Sequence, residues 1–377
     1  MKILVISRGW PSKKTPQWGC FERDQAMALK NAGHEVIVMS VDGRIGFHQR
    51  RFGVTHKFED GIHLYNIFLF PLPLLSILGI KYLIRSFIAL YLFKKIVNER
   101  GMIDVIYSHY LFNTYSAVRI KNKYNIPLVA IEHWSKLNMR SLPYSIMKIG
   151  RTAYSKADRV IVVSKILQQR LRCFFSIDSI VIYNMCGSEF NNLHTKNTKE
   201  QFIFISVGRL VKHKRFDLII QAFHKAHFQE HVKLLIVGVG PEMYRLKKML
   251  SVLSMDKQVV LTGPKTKDEL SSLLHQCNVF VLASRGETFG VSCIEALMSG
   301  LPVISTRCGG PEEFINERNG CLVPIDNVEA LSLAMQDIYR KSSFFDSAQI
   351  SKECFQRFSS DVIVEQIEKV LKEVVNK

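Results

Sequence analysis

None of the eight cysteines, spread from Cys20 to Cys354, forms a C-x-x-C pair or sits at metal-ligand spacing from a histidine. That argues against a disulfide framework or a structural zinc module, and reduced thiols in a cytoplasmic protein are the expectation. Also missing are a zinc-finger pattern, an RNP motif and an uninterrupted Lys/Arg block. Yet Lys plus Arg number 51 against 33 Asp plus Glu, a formal net charge of +18. Such a surplus implies a polyanionic neighbour: nucleic acid, an anionic membrane or phosphorylated small molecules. With no recognition signature, nucleic acid is set aside as a partner. The N-terminus lacks the apolar core and small-residue cleavage site of a signal peptide. It opens on the strand-like MKILVIS, and Arg8, Lys13 and Lys14 follow too soon.

What is present is an α/β rhythm long enough for two domains, since the chain has 377 residues, of which 47% are hydrophobic. Short apolar runs at 2–7, 34–40, 103–109, 127–133 and 158–164 read as parallel strands buried on both faces. Helical stretches fall between them at 21–32, 113–124 and 141–155. The pattern restarts with runs at 201–208, 232–240, 258–263, 278–284 and 301–306. The expected fold class is therefore α/β, with two Rossmann-like doubly wound domains. The polar stretch 191–200 reads as the linker between a first domain (1–192) and a second (200–360). A terminal helix over 361–377 carries Val362, Val364, Ile367, Val370, Leu371 and Val374 at helical spacing. Residues 61–80 hold no formal charge, and length alone admits a membrane span. Pro71 and Pro73 oppose it, and the continuation to 97, with Lys81, Arg85, Lys94 and Lys95, fits either an interfacial helix or an ordinary packed one.

The segment with the most chemistry is SRGETFGVSCIEALMSGLPVIST, 284–306. Glu287 and Glu295 lie eight residues apart, about 12 Å along a helix. That is too far for the acid and base of one glycosidic bond, but it suits the two ends of a nucleotide sugar, with sugar hydroxyls at Glu287 and ribose hydroxyls at Glu295. Thr288, Phe289 and Gly290 between them form the loop that opens a helix whose N-terminus can bind phosphate. In SVGRLVKHKRFDLIIQAF, 206–223, Arg209 follows a strand end and Lys214 precedes a helix. Two fixed cations there would stabilise charge developing on a departing diphosphate. Gly238 and Gly240 give G-x-G after a strand, without the third glycine of a dinucleotide fingerprint.

These segments resemble the donor-binding core of the family 4 retaining glycosyltransferases, enzymes of the GT-B architecture that include bacterial polysaccharide and capsule transferases. The resemblance runs along most of the chain. Residues 7–40 resemble the family's first strand, glycine loop and helix, with Gly19 where the loop meets the donor phosphate. VAIEHWS (129–135) places His133 at the family's acceptor-domain histidine, and SHYLFNTYSA (108–117) places His109 in the neighbouring segment. VLTGPKTKDEL (260–270) resembles the base-reading segment, with Gly263 and Lys265. CGGPEEFI (308–315) resembles the turn that closes the site, through Gly309, Gly310 and Glu313. Two positions depart from the pattern: Arg215 stands where the family usually has glycine after the lysine, and Gly187 where it often has aspartate, while Asn184 is kept.

The resemblance implies two domains facing a central cleft, with the acceptor on the first and a UDP- or GDP-linked hexose on the second. Arg209 and Lys214 would hold the diphosphate, Glu287 the sugar, Phe289 and Gly290 would offer backbone contacts, and Glu295 would hold the ribose. His133 would act near the transferred sugar and His109 beside it. No Asp-x-Asp occurs, so neither a metal nor any other cofactor is expected, and cations with a helix terminus would replace the metal. The expected acceptor is a lipid-linked saccharide or other oligosaccharide in surface polysaccharide assembly, reached from the cytoplasmic, inner face of an anionic membrane. The alternatives are a sugar-nucleotide epimerase of similar fold, a non-catalytic nucleotide-sugar-binding subunit, or a nucleic-acid-binding protein, which steeply salt-dependent DNA binding would reveal.

Overall fold

The computed structural model describes residues 1–12, 15, 18–43, 53–69, 80–139, 141–191 and 201–377. The chain forms two compact units, Met1–Asn184 with Ser360–Lys377, and Met185–Ser359.

The first unit contains β1 (Lys2–Ser7), α1 (Cys20–Asn31), β2 (Glu35–Asp42), β3 (Gly53–Glu59), β4 (Ile62–Phe68), α2 (Ile80–Arg100), β5 (Val105–His109), α3 (Leu111–Tyr124), β6 (Leu128–Glu132), α4 (Tyr144–Lys156), β7 (Arg159–Val162), α5 (Lys165–Phe175) and β8 (Ile180–Val181). Its strands form one sheet in the order β3-β4-β2-β1-β5-β6-β7-β8. Only the edge pair β3–β4 is antiparallel among the described residues. Helices cover both faces, so β1, β5 and β6 show no apolar–polar alternation and bury nearly every residue.

The second unit contains β9 (Phe202–Val207), α6 (Phe216–Lys225), β10 (Val232–Val237), α7 (Met243–Val252), β11 (Val259–Gly263), α8 (Lys267–Leu274), β12 (Val279–Leu282), α9 (Val291–Met298), β13 (Val303–Thr306), β14 (Gly320–Val323), α10 (Val328–Arg340) and α11 (Ser347–Phe358). The sheet is wholly parallel, in the order β11-β10-β9-β12-β13-β14. Counted within the unit this is the dinucleotide-fold order 3-2-1-4-5-6, which reverses between β9 and β12.

Three sequence expectations need correction. The first domain ends at Asn184, not 192, because the following residues are tied to the second unit. Cys186 N donates to Phe358 O at 2.8 Å, and Ser271 Oγ donates to Glu189 O at 2.5 Å. Most of the expected linker, 192–200, lies outside the described residues. Secondly, 62–68 of the uncharged stretch is not part of a membrane span: it is β4, paired with β2 and β3. Residues 70–79 lie outside the described residues, and no described helix is long and apolar enough to cross a membrane. Thirdly, the terminal helix α12 (Ser360–Val375) returns to the first unit, where it packs on α1 and β6. Its buried stripe is Ile363, Val364, Ile367, Val370, Leu371 and Val374, so Ile363 takes the place assigned to Val362. A hydrogen bond between His34 Nε2 and Glu368 Oε1 at 2.6 Å ties the helix to the first unit.

Ile367 is fully buried. Ile367→Ala is expected to lower the unfolding free energy by about 2–5 kcal/mol, and Ile367→Val by about 1 kcal/mol, read by denaturant titration. Equal stabilities for both variants and the parent would mean that α12 is not packed as described.

Candidate active site

In the second unit the expected site residues Arg209, Lys214 and Glu287 lie past the carboxyl ends of β9 and β12, on either side of the strand-order reversal. The loop after β9 carries Arg209 and is held by the turn after β10. Leu210 N donates to Val239 O at 3.0 Å, and Glu242 N to Leu210 O at 3.1 Å. A Cβ on Gly238 would lie 1.9 Å from Gly208 O, and one on Gly240 2.2 Å from Leu210 O. The G-x-G pair therefore lets two backbones touch and so supports the Arg209 loop. Arg209 itself is exposed and pairs with no carboxylate among the described residues.

Lys214 ends a short 3-10 turn, Lys212–Lys214. Its Nζ lies 2.5 Å from Glu287 Oε1, and Ser284 Oγ donates to the same oxygen at 2.5 Å. Glu287 is anchored through its backbone: its N donates to Cys308 O at 2.8 Å, and Gly310 N donates to its carbonyl at 3.2 Å. A Cβ on Gly310 would come within 2.3 Å of Phe289 Cα, so glycine is required for this approach. The Phe289 ring is buried against Phe314 and Phe358, at centroid distances of 5.3 and 5.7 Å. Only its backbone is left for a ligand. Gly290, at φ 99°, opens α9 without a side-chain cap. Glu295 lies further along α9 and is half-buried. Gly309, buried, and Glu313, half-buried, complete the adjoining turn.

Lys214, Glu287, Phe289, Gly290, Gly309 and Gly310 thus belong to one interlocked set of loops. Gly263 and Lys265 stand apart, at the end of β11, which pairs with β10 and not β9. Gly263 adopts φ 78° with open space where a Cβ would stand, and the Lys265 ammonium reaches Glu269 at 3.5 Å.

In the first unit a second polar cluster occupies the ends of β1, β5 and β6. His109 closes β5 and His133 follows β6, their rings stacked at 5.4 Å and 4°. His133 Nδ1 meets Asn184 Oδ1 at 3.0 Å, while its Nε2 and both His109 ring nitrogens have no hydrogen-bond partner among the described residues. Burial pushes the His133 imidazole down to about 4. His109 is held well below the usual range by burial, then by His133 and Arg8. Both rings are therefore neutral near pH 7. Gly19 opens α1 at φ 80°, and a Cβ there would lie 2.2 Å from Gly9 O. Two residues on, the Phe21 ring stacks on His133 at 6.0 Å.

Sequence reasoning missed much of this cluster. Arg8 Nε donates to Glu22 Oε1 at 2.9 Å, and its guanidinium lies 3.9 Å over the Tyr110 ring. Burial works against the Arg8 charge, but fully buried Glu22, with Tyr110 and Cys20, holds the pKa above its ordinary value. Glu132, also buried, accepts from the backbone N–H groups of Leu111, His133 and Trp134 at 2.7–2.8 Å and from the Tyr154 hydroxyl. Burial raises its pKa against the pull of these donors. Ser284 was missed in the second unit. Arg8, just past β1, and Glu132, at the end of β6, carry a local sequence signal, a charge at the end of a buried strand.

Comparison with known proteins places the chain. Residues 23–186 match the family model described as Glycosyltransferase Family 4, and residues 189–357 the one described as Glycosyl transferases group 1. An uncharacterized glycosyltransferase of Methanocaldococcus jannaschii is 28% identical over 78% of this chain and 82% of its own length. Among solved structures, sucrose-phosphate synthase from Thermosynechococcus elongatus superposes with a TM-score of 0.82 at 19% identity, covering 100% of this chain and 99% of the other. Anabaena HepE in complex with UDP-glucose gives 0.75 at 19%, covering 99% and 100%. The fold is that of the GT-B glycosyltransferases. The chain belongs to glycosyltransferase family 4.

The buried histidines set a pH dependence. An unfolded His133 titrates near 6.5 and the folded one near 4, so between these values the unfolded chain binds the extra proton. Stability is then complete above pH 6.5 and falls with pH toward 4. His133 alone should cost about 2 kcal/mol between pH 6.5 and 5. Denaturant titrations of the parent and His133→Phe across that range should show a shallower slope in the variant; identical slopes would mean the ring is solvated.

Proposed function

We propose that this glycosyltransferase transfers a hexose from a UDP- or GDP-linked donor, with retention at the anomeric carbon and without a metal, to a hydroxyl of a lipid-linked saccharide in surface polysaccharide assembly. The observation that carries the donor half is the Lys214–Glu287 pair, at 2.5 Å, beside Arg209 at the reversal of the second unit's sheet. Open α/β sheets bind nucleotides at that place. The Lys214 and Arg209 cations and the uncapped start of α9 can stabilise the charge that grows on a leaving diphosphate. Glu287 is oriented by Lys214, Ser284 and two backbone bonds, so its carboxylate is fixed to accept hydrogen bonds from sugar hydroxyls. Glu295, Gly263 and Lys265 are assigned to the nucleoside end. In the first unit, the free Nε2 of neutral His133 can bond a sugar hydroxyl, with His109 and Gly19 beside it. A leaving phosphate oxygen takes the acceptor's proton. HepE, the structural neighbour found with UDP-glucose, makes UDP-sugars the first donors to try. The apolar and basic character of 80–97 supports an acceptor presented at the inner face of an anionic membrane.

Incubating the protein with UDP- and GDP-sugars and a membrane lipid extract should release nucleoside diphosphate from one donor, and only with the extract. Lys214→Ala and Glu287→Ala should each lower that rate about 100- to 1,000-fold with unchanged unfolding midpoints. Full activity in both variants would remove the site assignment, and release without extract would point to hydrolysis.

A further inference from the structure

Three helices of the first unit that pack in succession, α2, α3 and α4, carry no acidic residue from 80 to 98, from 111 to 124 or from 144 to 156. Over the same spans they carry Lys81, Arg85, Lys94, Lys95, Arg119, Lys121, Lys123, Lys148, Arg151 and Lys156. Of these, Lys95 is neutralised by Glu99 and Lys121 by Asp158, and Arg85 is turned inward to Asn113. Lys81, Lys94, Lys123, Lys148, Arg151 and Lys156 are exposed and have no carboxylate partner among the described residues.

The same face exposes apolar side chains in register. Ile80, Leu83, Phe87 and Tyr91 follow helical spacing along α2 and are 39, 42, 52 and 59% exposed. Burying such a stripe in an ordinary globular packing would have stabilised the fold, so leaving it in water calls for a partner. Between the helices lies an open groove of about 590 Å³, lined by Phe87 and Leu90 of α2, Tyr115 and Arg119 of α3, and Thr152 of α4. Arg119 stacks 3.8 Å over the Phe87 ring and donates Nε to Ser86 Oγ at 3.2 Å. The rest of its guanidinium is left for an anion.

We propose that this face docks on an anionic phospholipid bilayer, with Phe87 and Tyr91 in the interfacial layer and a lipid phosphate in the groove beside Arg119 and Lys123. Charge complementarity favours a polyanion. The apolar stripe running between the cations selects a bilayer over nucleic acid, whose backbone would leave those four side chains in water. The inference rests on the proposed membrane-borne acceptor but stands on a surface remote in sequence from Lys214 and Glu287, so the two can fail separately.

The full-length protein is sedimented with vesicles of phosphatidylcholine alone or of equal parts phosphatidylcholine and phosphatidylglycerol, and UDP-glucose binding is measured in parallel. Binding to the mixed vesicles only is expected, weakened about fivefold for each of Arg119→Gln and Lys123→Gln. Phe87→Ser with Tyr91→Ser should release the protein further, and none of these variants should change donor affinity or the unfolding midpoint. No preference for the anionic vesicles, or variants that bind as the parent does, would overturn the proposal. So would duplex DNA binding that Phe87→Ser leaves intact while vesicles are ignored. Loss of donor binding in the parent would instead strike the proposed transferase site.

Discussion

Lys214 and Glu287 are 73 residues apart and meet at 2.5 Å because β9 and β12 are adjacent in a parallel sheet whose order reverses between them. The reversal sends the two connecting chains to opposite faces and leaves a crevice at the strand ends that neither fills. The rest of the second unit serves that geometry. The largely apolar, buried strands β9 and β12 fix the height of both loops. Glycines at 238, 240 and 310 allow backbones to touch where any Cβ would collide with a main-chain atom. The buried Phe289–Phe314–Phe358 cluster locks the turn from beneath.

The first unit solves a different problem, that of keeping polar groups where water is excluded. Glu22 and Glu132 are both fully buried, and a carboxylate in that position destabilises the fold unless each oxygen is satisfied. Glu22 is answered by the Arg8 fork, while Glu132 draws together the start of α3, the turn after β6 and Tyr154. The result is a rigid frame around two neutral, stacked imidazoles. Replacing such a network with apolar side chains often leaves stability unchanged or higher, so its presence beside His133 is better explained by placement of the ring than by stability.

How much was legible in the residues follows from the reach of each signal. Strands buried on both faces announce themselves as apolar runs, and all ten such runs are strands. The β3–β4 hairpin was not read, because His63 and Asn66 interrupt β4 and its uncharged surroundings suggested lipid. The α12 stripe was visible, but its docking on the first unit was not, since spacing specifies a face and not its partner. In the second unit the Glu287 and Lys214 motifs are local in sequence and were found, along with Gly290 and Gly310. Arg8, Glu22 and Ser284 were not, because each is defined by a contact with another segment or by a shared oxygen.

Arg215 shows why a departure from a family pattern needs its tertiary context. It adopts φ 53° and ψ 43°, the left-handed conformation that glycine enters freely and that costs an ordinary residue about 1–2 kcal/mol. Its side chain is not idle: Nε reaches Asp217 at 3.1 Å, and the guanidinium also pairs with Asp326. Asp326 accepts a second cation, Arg285 Nε, at 2.8 Å, and Arg285 N donates to His213 O at 2.9 Å. The loops before α6, after β12 and before α10 are thereby joined around the residue next to Lys214. A glycine would relax the backbone at 215 but leave those loops unconnected. The strain is local, whereas the ion pairs fix three loops at once, and a fixed ammonium needs no reorganisation when charge develops in front of it.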